Sequence, residues 1–177
     1  MSVLAGPFAI ATIVLALGGA SKMLDPRDTA HALRALRVPG GRVFVRLGGA
    51  FELAVGVGAL VTGAAVLAGT VAASYLVFAV VVTVALRSGR PISSCGCLGK
   101  VDTPPSAVHV VLDIAAAGVA IGAIAAGAGT VDLPDVLADQ PLAGVPFLLL
   151  VGLGVAFVLL ALTALPKTLA AARAVRP

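Results

Sequence analysis

Charge is what this sequence has least of. Asp, Glu, Lys and Arg together make up 11% of its 177 residues, against roughly a quarter in soluble domains, so the chain has too little polar surface to stay dissolved as a globular domain. Aromatics amount to 4%, with one Tyr and no Trp. No basic run is interleaved with aromatic residues, which excludes the stacking surfaces that hold single-stranded nucleic acid, and most basic residues instead flank apolar spans. Cysteine is nearly absent. The two present are too few for an iron–sulfur cluster or a structural zinc site, each of which takes about four ligands.

What remains is aliphatic. Hydrophobic residues account for 60% of the chain and glycine for 21 positions, the composition of transmembrane helices that meet at small residues. The expected fold is all-α: a single domain over residues 1–177, a polytopic membrane helix bundle. Apolar stretches near 3–24, 43–66, 67–86, 106–127 and 145–165 each approach the ~20 residues that cross a bilayer. The first lacks a basic leader and is longer than a signal-peptide core, so it reads as a retained helix. Asp25-Pro26-Arg27-Asp28 then carries the marks of a helix start, and residues 26–37 read as a short interfacial helix with Ala30, Leu33 and Leu36 on its apolar side and His31 as part of the anchor. Gly69-Thr70 marks a weak break between the second and third spans, which form a tight hairpin.

All twelve basic residues fall in three regions. Lys22, Arg27, Arg34, Arg37, Arg42 and Arg46 flank the first connection; Arg87, Arg90 and Lys100 flank or lie in the third; Lys167, Arg173 and Arg176 sit in the tail. Five spans place all three regions on one side, which the positive-inside rule makes cytoplasmic. The expected location is therefore the plasma membrane, multi-pass, with the N-terminus and the Asp132, Asp135 and Asp139 loop outside.

Three constellations carry chemistry. Cys95-Gly96-Cys97, in a loop broken by Pro91, Pro104 and Pro105, can exchange a disulfide, share a soft metal ion, or be two inert thiols in a turn. Arg90 and Lys100 nearby favour the thiolate. Glu52 lies inside a span on a face with Gly49, Gly56, Ala59 and Gly63, and an ionisable group there needs a partner or a task. Lys22, reaching inward across Gly18-Gly19, is its expected partner, in a structural ion pair or a proton-handling one. His109 and Asp113, four residues apart, share one face of the fourth span; they read either as a packing pair or as a proton relay for thiol chemistry.

Gly18-Gly19-Ala20-Ser21-Lys22-Met23-Leu24-Asp25-Pro26, the turn at Leu33 to Pro39, the Glu52 helix and above all Cys95-Gly96-Cys97-Leu98-Gly99 resemble the MauE branch of the MauE/DoxX membrane proteins. The resemblance implies a DoxX-like four-helix core with a fifth transmembrane helix, and a role in redox maturation linked to methylamine utilisation beside a thioredoxin-like protein. It makes Cys95 and Cys97 alone the candidate redox pair of a thiol-disulfide oxidoreductase component and leaves the rest of the shared motif structural; Glu52, His109 and Asp113 are candidate proton-handling groups on their own chemistry and placement. Bilayer lipid and a redox protein are the implied partners, and nucleic acid is not. No cofactor or bound metal is evident, although a pair on one face needs a further acceptor, a quinone or a partner protein. A client exported from the cell would require the cysteine loop outside, whereas the charge map puts it inside, where it would draw on cytoplasmic thioredoxin. The alternative reading is a non-catalytic scaffold subunit of a redox complex, or soft-metal binding by the two thiols.

Overall fold

Backbone in a bilayer can satisfy its hydrogen bonds only within helices or closed barrels, and each apolar run of this chain solves the problem as a helix. The computed structural model describes residues 3–38, 40–88, 105–126 and 141–174, with 134 and 138. In chain order these form α1 (Ala5–Leu24), α2 (Arg27–Ala35), α3 (Arg42–Thr62), α4 (Ala65–Arg87), α5 (Ala107–Ala125), α6 (Pro141–Thr163) and α7 (Leu165–Ala174). No strand occurs among the described residues, and 5 helical stretches are long and apolar enough to span a membrane. Cys95 and Cys97 lie outside the described residues, as do Asp132, Asp135 and Asp139 of the acidic stretch.

Helix α1 is the axis of the bundle. It packs against α3, α5 and α6, and its contact with α3 depends on missing side chains. A Cβ on Gly49 would stand 2.6 Å from the Gly19 carbonyl oxygen, and one on Gly56 would stand 2.7 Å from the Thr12 carbonyl oxygen. The two backbones therefore touch directly, which gains dispersion contacts where lipid offers no hydrophobic drive for association. On the far side α4 meets α5 through Ala68, Val71, Ala72, Ala117, Ala120 and Ala123, all buried. Polar side chains inside the spans satisfy themselves locally. Thr12 donates to the Phe8 and Ala9 carbonyls, both at 3.0 Å, and Thr83 donates to Ala79 at 2.7 Å, the back-bonding that lets a hydroxyl sit in an apolar helix.

Two boundaries differ from the sequence reading. The break between the second and third spans is at Gly63-Ala64, and Gly69-Thr70 lies inside α4. Gly63 takes the left-handed conformation, φ 57° and ψ 19°, that ends a helix without a Cβ penalty, while the Thr62 hydroxyl donates to Gly58 and accepts from the Ala64 amide. Helices α3 and α4 are thus joined tightly, yet each packs more extensively on another partner, α3 on α1 and α4 on α5. The basic tail, read only as a short extension, forms α7. Asp25 behaves as expected at the α2 start, its carboxylate accepting the Arg27 amide at 3.2 Å; His31 is exposed on α2 and Ala30 is buried.

Candidate functional site

The Gly19–Gly49 contact decides where the charges go. With no side chains to hold the helices apart, Lys22 leaves α1 beside Gly49, their Cβ positions 3.0 Å apart, and extends inward to Glu52 one turn further along α3. Its Nζ donates to both Glu52 oxygens at 2.7 Å. Lysine and glutamate are each only about a tenth exposed or less, so the pair is buried in the bundle. The expected partnership is thereby borne out, and Lys22, grouped by sequence with the flanking charges, sits inside the protein with its charge met by Glu52. The ammonium also lies 4.3 Å above the centre of the Phe78 ring from α4, an arrangement in which the ring face attracts the cation.

Phe78 in turn meets Tyr75 edge to face, centroids 6.0 Å apart at 83°. Tyr75 donates its hydroxyl to the Ala11 carbonyl at 2.6 Å, tying α4 to α1. We expect Tyr75→Phe to lower stability by about 0.5–1.5 kcal/mol. Chemical unfolding in detergent would measure it, and an unchanged midpoint would show that the hydroxyl bond contributes nothing net.

From α5 come the remaining groups. His109 is 2% exposed and Asp113 8%, so the shared face proposed from their spacing points into the protein. The His109 Nδ1 is hydrogen-bonded to the Ser106 hydroxyl at 2.9 Å, which orients the ring from the first turn of the helix. Glu52, Tyr75, Phe78, His109 and Asp113 then line one small cavity of about 30 Å³, with room for about two waters. Four helices thus deliver two carboxylates, an imidazole, a phenol and, through Glu52, an ammonium to one small chamber. Such a set can hold, share or pass a proton among groups that line one cavity.

Two apolar clefts reach this region from the sides. One, of about 190 Å³, runs between α2, α3 and α4 past Leu33, Phe44, Val77 and Phe78, and ends on Lys22 and Glu52. The other, of about 230 Å³, lies against α5 and α6 and ends on Tyr75 and Asp113.

Spacing within single helices placed Glu52, His109 and Asp113, but the sequence reading missed Tyr75, Phe78 and Ser106. A signal for Tyr75 existed: it is the chain's one tyrosine and sits mid-span, where a hydroxyl must find a partner. The role of Phe78 had no sequence signature. Among the described residues no three His, Cys, Asp or Glu side chains assemble as a metal site.

In comparisons with known proteins, the family model for methylamine utilisation protein MauE matches residues 1–128, a stretch that includes α1 to α5, Cys95 and Cys97. No curated protein and no solved structure matches the chain.

Proposed function

Because this chain belongs to the MauE family, we propose that it is a membrane component of a methylamine-utilisation system that supports thiol–disulfide exchange through Cys95 and Cys97. The observation that carries this reading is the convergence of Lys22, Glu52, Tyr75, His109 and Asp113 inside the bundle. Ser88 follows α4 and Pro105 precedes α5, so the segment containing the cysteines joins the two helices that carry Tyr75, His109 and Asp113. His109 and Asp113 lie in the first two turns of the helix that follows this segment, Asp113 about 9 Å along it at 1.5 Å per residue.

The exchange is balanced within two proteins. A Cys95 or Cys97 thiolate attacks a disulfide of a thioredoxin-like partner and forms a mixed disulfide while one partner sulfur leaves. The second cysteine then attacks the mixed bond. The pair ends oxidised, the partner ends as a dithiol, and two protons pass from one dithiol to the other. In this reading His109 and Asp113 take and return those protons, and Glu52, held by Lys22, sets the field around them. A quinone is the alternative electron acceptor: the cleft that ends on Lys22 gives a lipid-soluble ring a donor for its carbonyl oxygen.

Redox trapping in intact cells tests the reading and its orientation together. Permeant and impermeant maleimide mass tags are applied with and without oxidant. We expect the pair to shift between tagged and untagged states with permeant reagent, and to be shielded from impermeant reagent until the cytoplasmic face is opened. A pair that stays reduced throughout, with Cys95→Ser and Cys97→Ser variants fully functional, favours a non-catalytic scaffold instead. Labelling from outside would reverse the topology.

A further inference from the structure

Arg27, Arg42 and Arg46 surround a polar recess of about 340 Å³ at the corner between α1 and α2, completed by Leu24, Asp25 and Pro26. Arg42 and Arg46 are four residues apart at the start of α3, so their side chains rise from one face. Three guanidiniums face a single carboxylate. Asp25 approaches Arg27 at only 3.9 Å, and among the described residues no carboxylate pairs with Arg42 or Arg46. Like charges gathered around a concave surface repel one another unless an anion enters it, and the planar guanidinium fork matches phosphate oxygens two at a time.

The surroundings say which kind of anion. Leu24 is 85% exposed beside the recess, and on α3 the next face round from the arginines carries Val43 and Leu47, 70% and 66% exposed. A guanidinium cluster directly above a bare apolar stripe at a span terminus is the arrangement that suits a charged headgroup with acyl chains below it. We propose that this recess binds the phosphate of an anionic phospholipid, with the acyl chains lying along Val43 and Leu47. The site is separate from the buried chamber and does not depend on the thiol chemistry.

Lipid titration followed by native mass spectrometry of the intact detergent-solubilised protein tests the site. Phosphatidylglycerol should bind and phosphatidylcholine should not. Arg42→Gln/Arg46→Gln, both exposed positions, should weaken phosphatidylglycerol binding on the order of 30-fold, tenfold coming from about 1.4 kcal/mol and each surface arginine contributing about 1. Arg34→Gln/Arg87→Gln removes the same charge elsewhere at the same end of the bundle and should leave binding within about twofold. Equal loss in both double variants, or equal binding of phosphatidylcholine, would overturn a built site. Displacement of the lipid by an equal concentration of inorganic phosphate would assign the recess to a soluble anion and overturn the lipid occupant.

Discussion

Lys22→Met is expected to destabilise the bundle by about 3–5 kcal/mol, and Lys22→Met/Glu52→Met to recover most of that loss. The asymmetry follows from where the pair sits. Intact, the ammonium donates to both carboxylate oxygens at 2.7 Å and rests over Phe78, so each charge is compensated. With the lysine gone, Glu52 stays within α3 with no counter-charge, and a lone charge in a low-dielectric interior is among the costliest defects a fold can carry. Removing both replaces two desolvated ions with two flexible apolar side chains of similar size, which in other buried pairs is close to neutral. Denaturant titration in mixed micelles, followed by helical circular dichroism, gives Lys22→Met, Glu52→Met, the double variant and the coupling energy. Single-variant losses below 1 kcal/mol would mean that the pair is not structurally important. A double variant that folds normally but no longer supports the proposed redox cycling would separate a chemical role of Glu52 from its place in the fold.

Gly49→Ala and Gly48→Ala, one residue apart, should move stability in opposite directions. A methyl on Gly49 meets the Gly19 carbonyl at 2.6 Å and the Met23 amide nitrogen at 3.2 Å. Both are main-chain atoms that cannot rotate away, so α1 and α3 must separate and Lys22 must follow. The expected loss is about 3 kcal/mol, the upper part of the range for overpacking, with added disruption of the Lys22–Glu52 bonds. A methyl on Gly48 meets nothing within 4 Å and replaces the residue that loses most backbone freedom on folding, so that variant should gain about 0.5–1 kcal/mol. The same unfolding experiment measures both, and similar behaviour of the two variants would contradict the close approach of α1 and α3.

These two experiments probe a single device. The backbone contact brings Lys22 within reach of Glu52, and the ion pair makes that helix register the favourable one, since slipping α1 by one residue would carry the ammonium away from the carboxylate. The chamber groups from α4 and α5 are then added against this fixed pair. Tyr75 anchors to α1 through Ala11, and His109 and Asp113 enter from the first two turns of α5. The family match ends at residue 128, and α6 and α7 lie beyond it. Helix α6 contributes Val151 and Val155 to a second apolar cluster against Ala9 and Val14, supporting α1, and its Leu162 lines the chamber.

Much of this was legible along the chain because membrane helices write their existence into composition. A run of about 20 apolar residues has one stable solution in lipid, so the class, the spans and the short α2 could be read without coordinates. Within-helix facts were equally accessible: Gly49, Glu52 and Gly56 on one face, and His109 and Asp113 on one face, follow from 3.6 residues per turn. The helix ends were less so, because Gly63 and Gly69 look alike in sequence and differ only in backbone conformation. By itself the sequence determined a helical membrane protein with two neighbouring thiols, one glutamate inside a span, and the family to which it belongs. Only the tertiary structure decided that Glu52, Tyr75, Phe78, His109 and Asp113 share one chamber. Periodicity specifies which residues lie on a helix face but not which face of which helix it meets, and that choice was made here by the shape of the α1–α3 glycine contact and the reach of Lys22 across it.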